Sequence, residues 1–347
     1  GVDGESDAVR HTDSDLCLHL PLHTMSRSSS PVRSFGLVAM LGSAFLFSIM
    51  ALQVKWLAQF GTFQLVFWRS VFMLAGTMAV LVYRGESPIG PSGDWLVLIA
   101  RGVAGFAFMS AFYSAIKLMP LSDAIVITYT SPVITGIAAA VLLGEAWGVL
   151  DAIGSVLSFV GVVLISKPAV ILRWFGLTDE ASTAPFAGTM AALAAAFLSS
   201  SVYLLLRYAK NLDAVLSVNY FAFVGAVLAP MFSYASGEAF KMPQGFEWIE
   251  LASLAAISIV GQVLMNVGLA HETAGKATAM NYAQVVFAYI YQIALFHKSS
   301  DLLSIVGAIL IASWGGFALI KELLRVQVPP RLLVGASRQE ARLLDAD

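Results

Sequence analysis

Long apolar segments, separated by short polar ones, dominate the chain from residue 36 to residue 320. A membrane-spanning helix needs about 20 consecutive, mostly apolar residues. Ten segments meet this requirement: 36–55, 63–83, 95–116, 121–143, 148–166, 186–207, 214–235, 248–270, 274–296 and 302–320. We number them as spans one to ten. The pattern predicts an all-α integral membrane protein with ten transmembrane helices.

The two halves of the chain resemble each other in sequence. A shift of 152 residues aligns Gly36, Ala44 and Ser48 with Gly188, Ala196 and Ser200, and a shift of 153 aligns Ala124, Tyr129 and Gly154 with Ala277, Tyr282 and Gly307. We call such aligned residues repeat mates. Each half holds five spans, and an odd number forces the second copy into the bilayer upside down. Two inverted five-helix repeats, with a site near the midplane, are typical of secondary transporters.

These boundaries predict five regions. Residues 1–34 and 321–347 are expected to be disordered tails, because they are polar and lack apolar periodicity. The repeats occupy residues 35–166 and 186–320, and residues 167–185 form the loop that connects them. The first methionine is Met25, so it is a candidate for the native start, and whether the residues before it are native is left open.

Composition narrows the class of protein. The chain is 58% hydrophobic and only 12% charged, whereas soluble domains have about 25% charged residues. The bilayer is therefore an expected partner, and a net charge of −2 gives no sign of a nucleic-acid partner. The single cysteine, Cys17, excludes an intramolecular disulfide. No metal-ligand spacing, phosphate loop or nucleophile-and-base constellation is present, so we expect no metal, no cofactor and no enzyme.

The short loops favour one orientation. If the N-terminus is cytoplasmic, that side of the membrane carries Arg27, Arg33, Arg84, Arg207, Lys210, Lys276, Lys321, Arg325 and Arg331. The other side carries Lys55, Lys117, Lys167, Arg173, Lys241 and Lys298. Cytoplasmic loops are enriched in Lys and Arg. We therefore expect both termini in the cytoplasm, while the sequence does not distinguish a plasma membrane from an endomembrane.

Polar residues at membrane depth are costly and are the first candidates for function. In spans four and nine, three such pairs are repeat mates: Thr128 and Asn281, Tyr129 and Tyr282, and Ser131 and Gln284. Pro132 cannot donate a backbone hydrogen bond, so it leaves the Thr128 carbonyl free within the helix. Interhelical hydrogen bonding and a substrate site at the repeat interface are both consistent with this pattern, and we favour the substrate site.

Other spans add candidates for the same site. Gln262 and Asn266 lie four residues apart and so share one face of span eight, and Tyr113 in span three is the repeat mate of Asn266. Arg69 in span two either extends to the membrane surface or faces the bundle interior as a partner for an anion. Arg101 is expected to pair with Glu145. The predicted substrate-binding set is Tyr129, Thr128, Ser131, Asn281, Tyr282, Gln284, Asn266, Gln262, Tyr113 and Arg69.

Several motifs resemble those of a known family. They are Phe67-Trp68-Arg69-Ser70, Arg101-Gly102-Val103, the run Met119–Ile127, Ser131-Pro132-Val133, Leu142-Leu143-Gly144-Glu145 and Ser166-Lys167-Pro168. Together they resemble the drug/metabolite transporter superfamily of the EamA type, and the pattern is most similar to the solute-carrier 35 G-type branch. The second half departs from the family pattern at Gln284-Val285 and His297-Lys298.

The resemblance implies a multi-pass transporter that moves a small organic solute by alternating access through a central cavity. Amino acids and their derivatives, nucleotide sugars, S-adenosylmethionine and drugs are the solutes it suggests. One alternative is a membrane enzyme acting on lipid, which a polar cleft open to lipid near His271-Glu272 would favour. The other is a non-transporting scaffold, which apolar packing around Tyr129 and Tyr282 would favour. Substrate, direction, coupling ion and a homodimer are left open by the sequence.

Overall fold

The computed structural model describes residues 31–57, 59–119, 121–166, 186–237, 240–296 and 302–327. Residues 1–30, the predicted connecting loop 167–185 and residues 328–347 lie outside this described part. The first and last helices extend beyond the predicted repeats, since one begins at Pro31 and the other ends at Gln327. A helix need not end where its apolar stretch ends, because its backbone hydrogen bonds do not depend on apolar side chains.

The described residues form helices throughout the ten predicted spans. In chain order these are Pro31–Trp56, Thr62–Tyr83, Trp95–Leu118, Leu121–Thr128 with Ser131–Leu142, Val149–Ser166, Phe186–Tyr208, Ala214–Ala235, Glu247–His271, Ala274–Ala279 with Met280–Tyr282 and Ala283–Phe296, and Leu302–Gln327. A short 3-10 helix, Ser92–Asp94, precedes span three. Within the described part, 9 spans are long and apolar enough to cross a membrane. Span nine is divided into shorter pieces.

The two repeats interleave around an approximate two-fold axis. The most extensive contacts join span one to span eight, span three to span six, span two to span seven and span five to span ten. All four contacts are between repeats. A two-fold rotation that exchanges the repeats converts the first contact into the second and leaves the last two in place. The fold is therefore the predicted pair of inverted five-helix repeats.

Close helix contacts follow the same symmetry. A methyl group added to Gly36 would lie 3.0 Å from the Cβ of His271, and one added to Gly188 would lie 3.2 Å from the Cβ of Leu118. Gly36 and Gly188 are repeat mates, and so are Leu118 and His271. Small residues let helix backbones approach closely in membranes, so each repeat uses the same position for the same approach.

Spans five and ten cross at Gly161 and Gly307. A methyl group on either glycine would lie 2.6 Å from the carbonyl oxygen of the other. Only glycine allows the two backbones to approach this closely. The mate of Gly161 is Trp314, which packs against Gly154, the mate of Gly307. The crossing is therefore symmetric in position but not in residue type.

Spans four and nine are interrupted at matching positions. Span four breaks between Thr128 and Ser131, and span nine makes a 3-10 turn at Met280–Tyr282. Pro132 accounts for the first break, because it cannot donate to the Thr128 carbonyl. The second break forms without a proline. Interrupted backbone at membrane depth is tolerated where it lines a cavity or is buried in protein, and the two breaks meet near the centre of the bundle.

Candidate functional site

A cavity of about 190 Å³ lies at the centre of the bundle. Its walls come from spans one to four and six to nine, so both repeats build it. Eight of the ten predicted site residues line it: Arg69, Tyr113, Thr128, Tyr129, Ser131, Gln262, Asn281 and Gln284. The structure thus brings together side chains from five spans that are widely separated in sequence.

Two predicted residues do not line this cavity. Tyr282 is fully buried in an apolar cluster with Val126 and Val162, and its ring centroid lies 6.0 Å from that of Tyr129. Tyr282 follows Asn281 directly on a tight 3-10 turn, so the two side chains point in different directions. The side-chain amide of Asn266 donates to the Ala214 carbonyl at 3.1 Å. Asn266 is one turn nearer the helix end than Gln262, where it meets the start of span seven.

Two arginines are buried in the cavity wall. Arg69 is 5% exposed and Arg101 is 2% exposed, so neither extends to the membrane surface. Their Cζ atoms lie 5.6 Å and 4.5 Å from the ring centroid of Phe221, within the range of cation–π attraction. Arg101 Nη2 donates to Gln262 Oε1 at 2.7 Å. We call Arg69, Arg101, Phe221 and Gln262 the arginine group.

The described residues of the cavity wall provide no counter-charge for the arginine group. No Asp or Glu is among the lining residues in the described part of the chain. Arg69 Nη2 faces the Met109 sulfur at 2.8 Å, and a thioether is only a weak acceptor. Arg69 Nε and Arg101 Nε and Nη1 have no hydrogen-bond partner. A buried charge costs several kcal/mol unless it is paired, so the arrangement favours an anionic ligand.

The helix breaks form a second, uncharged part of the wall. The Asn281 side-chain amide donates to the Tyr203 hydroxyl at 2.9 Å, which joins span nine to span six. The Asn281 Oδ1 and Thr128 Oγ1 atoms have no hydrogen-bond partner. Ser131 and Gln284 line the cavity beside them. We call Thr128, Ser131, Tyr203, Asn281 and Gln284 the break group.

The predicted pair of Arg101 and Glu145 does not form. Glu145 instead makes an ion pair with Arg207 Nε, and its Oε2 accepts from the Ala274 backbone N–H at 2.7 Å. Arg207 also donates to the carbonyls of Leu269 and Ala270, at 2.8 Å and 2.9 Å. We call these contacts the Glu145 cluster. The predicted ion pair was wrong because Arg101 lies deeper in the bundle than Glu145, where Gln262 is its hydrogen-bond partner.

Trp147 packs at the same end of the bundle. Its indole ring fits between Gly136 and Gly275, where an added methyl group would lie 2.5 Å and 2.8 Å from ring atoms. Gly136 belongs to the second piece of span four, and Gly275 to the first piece of span nine. The two broken spans are therefore joined through Trp147 beside the Glu145 cluster.

Comparison with known proteins agrees with this architecture. The EamA-like transporter family matches residues 34–167 and, a second time, residues 186–320. The chain belongs to the EamA-like transporter family. Solute carrier family 35 member G1 of Homo sapiens is 33% identical over 317 residues, which cover 88% of this chain and 86% of that protein. The predicted resemblance is thus confirmed, and the protein is a multi-pass membrane protein.

Other EamA-like relatives and a solved structure extend the comparison. The probable transport protein YPL264C of Saccharomyces cerevisiae is 28% identical over 83% of this chain and 86% of its own length. The pseudopaline exporter CntI of Pseudomonas aeruginosa is 26% identical over 81% and 94%. A crystal structure that is 19% identical matches with a TM-score of 0.72, over 84% of this chain and 98% of that one, and it supports the fold alone. These relatives are named as a solute carrier, a probable transport protein and an exporter.

The cavity of this EamA-like chain also contains residues that the sequence analysis missed. Phe221 and Met109 line it, but an aromatic or methionine in an apolar span looks like any other packing residue. Their position next to the arginines depends on how the helices pack. Within the described residues, no group of three or more His, Cys, Asp or Glu side chains could hold a metal ion.

Proposed function

We propose that the chain is a transporter, not an enzyme, that carries a small organic anion across the membrane by alternating access. The observation that supports the anion is the arginine group, with two buried guanidinium groups and no carboxylate among the described residues of the surrounding wall. Preformed donors without partners bind an anion with little reorganisation. A charge-assisted hydrogen bond is stronger than a neutral one, so an anion gains more from this wall than a neutral solute does.

The cavity size favours a small metabolite. An apolar cavity of about 150 Å³ takes up benzene, and this one is only slightly larger at about 190 Å³. A solute with on the order of ten non-hydrogen atoms fits this space. This favours an amino acid derivative or another small organic acid over a nucleotide sugar or S-adenosylmethionine.

Alternating access needs an end that opens and closes. The Glu145 cluster joins the hairpin between spans four and five to spans six, eight and nine, so it connects the repeats. At the opposite end, the Gln64 amide donates to the Lys241 carbonyl, and the rings of Trp68 and Trp248 pack edge to face. We propose that these two sets of contacts break in turn. Each set of contacts joins a residue of the first repeat, 35–166, to a residue of the second repeat, 186–320.

The Lys and Arg distribution supports an orientation with both termini, and hence the Glu145 cluster, on the cytoplasmic side. The lipid-enzyme alternative lacks support at its proposed site. His271 Nδ1 donates a hydrogen bond to the Val267 carbonyl at 2.8 Å, and the His271 ring packs against Phe35. The scaffold alternative accounts for Tyr282 in its apolar cluster but gives no role to two unpaired buried arginines.

The test is solute counterflow in proteoliposomes. A labelled panel would contain organic anions, amino acids, nucleotide sugars and S-adenosylmethionine. We expect saturable exchange of at least one small organic anion, and loss of that exchange in Tyr129→Ala, because Tyr129 lines the cavity. Exchange confined to cationic or neutral solutes would contradict the anion proposal. No exchange by correctly inserted protein would favour the scaffold.

A further inference from the structure

The cavity wall combines two kinds of chemistry in different places. The arginine group comes from spans two, three, seven and eight, and it carries positive charge. The break group comes from spans four, six and nine, and it carries no charge. Among the described residues, no hydrogen bond connects the two groups. A solute that fills the cavity therefore meets cationic donors in one place and neutral polar atoms in another.

The break group presents acceptors that no described residue satisfies. Asn281 is 6% exposed and Thr128 is 5% exposed, yet Asn281 Oδ1 and Thr128 Oγ1 have no partner. The bond from the Asn281 amide nitrogen to the Tyr203 hydroxyl fixes the amide, so its carbonyl oxygen is the atom left free. Most buried polar groups in folded proteins are paired. These two oxygens belong to repeat mates that both line the cavity, so a solute in the cavity can supply the donors.

The chemistry of these atoms selects the ligand group. A carbonyl oxygen accepts a hydrogen bond but cannot donate one, and a threonine hydroxyl can do either. The break group contains no cation, so a second carboxylate would lose its hydration there without gaining a counter-charge. A hydroxyl or an ammonium group, in contrast, donates to such oxygens directly.

We propose that the break group is a subsite for a hydroxyl or ammonium donor on the transported solute. This inference rests on the proposed function, because the same solute places its anionic group at Arg69 and Arg101. The substrate class is then an organic acid that also carries a hydrogen-bond donor, such as a hydroxy acid or an amino acid, rather than a plain carboxylic acid. A hydroxyl distinguishes the solute from plain carboxylates of the same charge and nearly the same size, whereas an ammonium group also lowers the net negative charge and so weakens attraction to the two arginines.

The experiment measures thermal stabilisation of the purified full-length chain by matched probes, because a ligand that binds only the folded state raises the melting temperature. The pairs are lactate and propionate, malate and succinate, and glutamate and glutarate. Within each pair the first probe adds a hydroxyl or ammonium group. We expect half-maximal stabilisation at a concentration at least threefold lower for the first probe in at least one pair.

Variants assign that preference to the break group. Thr128→Val removes the hydroxyl at constant shape, and Asn281→Leu removes the carbonyl. We expect either change to make the half-maximal concentrations of the two probes in a pair nearly equal, so that their ratio is close to one. Thr278→Val is the matched control. Thr278 is also buried in a broken span, but its hydroxyl donates to the Ala274 carbonyl at 2.8 Å and it does not line the cavity.

The outcomes separate this inference from the proposed function. A ratio of one in the unaltered protein, with carboxylates still stabilising it, would overturn the subsite and leave the anion proposal in place. A preference that survives both Thr128→Val and Asn281→Leu would also overturn it. If no carboxylate stabilises the protein at all, the anion proposal and the subsite fail together.

Discussion

The two repeats share one backbone arrangement but differ in charge at the positions of the two buried arginines. Spans two and seven begin 152 residues apart, at Thr62 and Ala214, so the mate of Arg69 is Phe221. Spans three and eight align with a shift of 153 residues, so the mate of Arg101 is Leu254. Both charged residues of the cavity therefore come from the first repeat, and the second repeat supplies apolar residues at the same positions.

Packing, by contrast, remains symmetric. The carbonyls of Pro88 and Lys241, which are repeat mates, each accept a side-chain amide from the other repeat. Asn219 donates to the first at 3.2 Å, and Gln64 donates to the second. A fold made of two copies must keep the contacts that hold the copies together, whereas the residues that face the cavity are free to differ. The difference between the repeats thus separates structural positions from positions that select the solute in the proposed function.

The largest expected effect comes from removing the charge of one repeat. Arg101→Met should lower the affinity for the transported anion by about 10- to 100-fold, since a hydrogen bond to a charged group contributes about 1.5–3 kcal/mol. The same change should not reduce the melting temperature of the solute-free protein, because it removes an unpaired buried charge. Counterflow and thermal unfolding measure the two effects.

Leu254→Met is the control at the mate position in the second repeat. It conserves volume, and Leu254 is buried in an apolar cluster with Leu57 and Leu251, so a volume-conserving change there should cost little. Equal losses of anion affinity in Arg101→Met and Leu254→Met would mean that the charge difference between the repeats has no role in selecting the solute.

A smaller effect is expected at the neutral partner of Arg101. Gln262→Glu places a carboxylate about where the Gln262 amide now accepts from Arg101, and we expect it to lower anion transport about tenfold by neutralising the guanidinium. Gln262→Met removes the hydrogen bond but leaves the positive charge of Arg101 available to the anion. The loss of anion transport should therefore be several times smaller than in Gln262→Glu. A Gln262→Met variant that transports no better than Gln262→Glu would show that positioning, not charge, matters at this residue.

The Glu145 cluster offers a third comparison. By sequence, the mates of Glu145 and Arg207 are Lys298 and Lys55, which carry like charges, and Lys298 lies outside the described residues. The ion pair therefore belongs to one end of the bundle. In a Cys17→Ser background with Ser131→Cys as reporter, Glu145→Gln should raise the rate of labelling from the Glu145 end severalfold, because breaking a partly buried pair is costly.

The control for this labelling is the ion pair between Arg84 and Asp213, whose nearest charged atoms are 3.4 Å apart. It lies at the same end of the bundle, but both side chains are exposed, and exposed pairs contribute about 0–1 kcal/mol. Arg84→Gln should leave the labelling rate nearly unchanged. Faster labelling in both variants would point to general loosening of that end rather than to a gate.

The smallest effect should be confined to stability. Gly161→Ala would place a methyl group 2.6 Å from the Gly307 carbonyl oxygen and push spans five and ten apart. Overpacking of this kind typically costs about 1–3 kcal/mol, so the melting temperature in detergent should fall by several degrees. Gly316→Ala is the control, because no described atom outside its own stretch of helix lies within 4 Å of the added methyl group. Equal melting temperatures would exclude the tight crossing.

The sequence predicts well what depends on local pattern. Span positions follow from apolar length, and the break in span four follows from Pro132, whereas the break in span nine has no proline that would predict it. Partner choice is different, because it depends on how helices rotate against each other. Glu145 thus pairs with Arg207 instead of Arg101. The 3-10 turn at Met280–Tyr282 likewise separates Tyr282 from Asn281, which no helical periodicity would predict.

The most direct test of the account compares one organic anion with its uncharged amide. Counterflow of both would be measured in proteoliposomes with the unaltered protein and with the double variant Arg69→Gln and Arg101→Met. The account predicts saturable exchange of the anion by the unaltered protein, little exchange of the amide, and loss of anion exchange in the double variant. Equal exchange of anion and amide, or anion exchange at the normal rate without the two arginines, would contradict it.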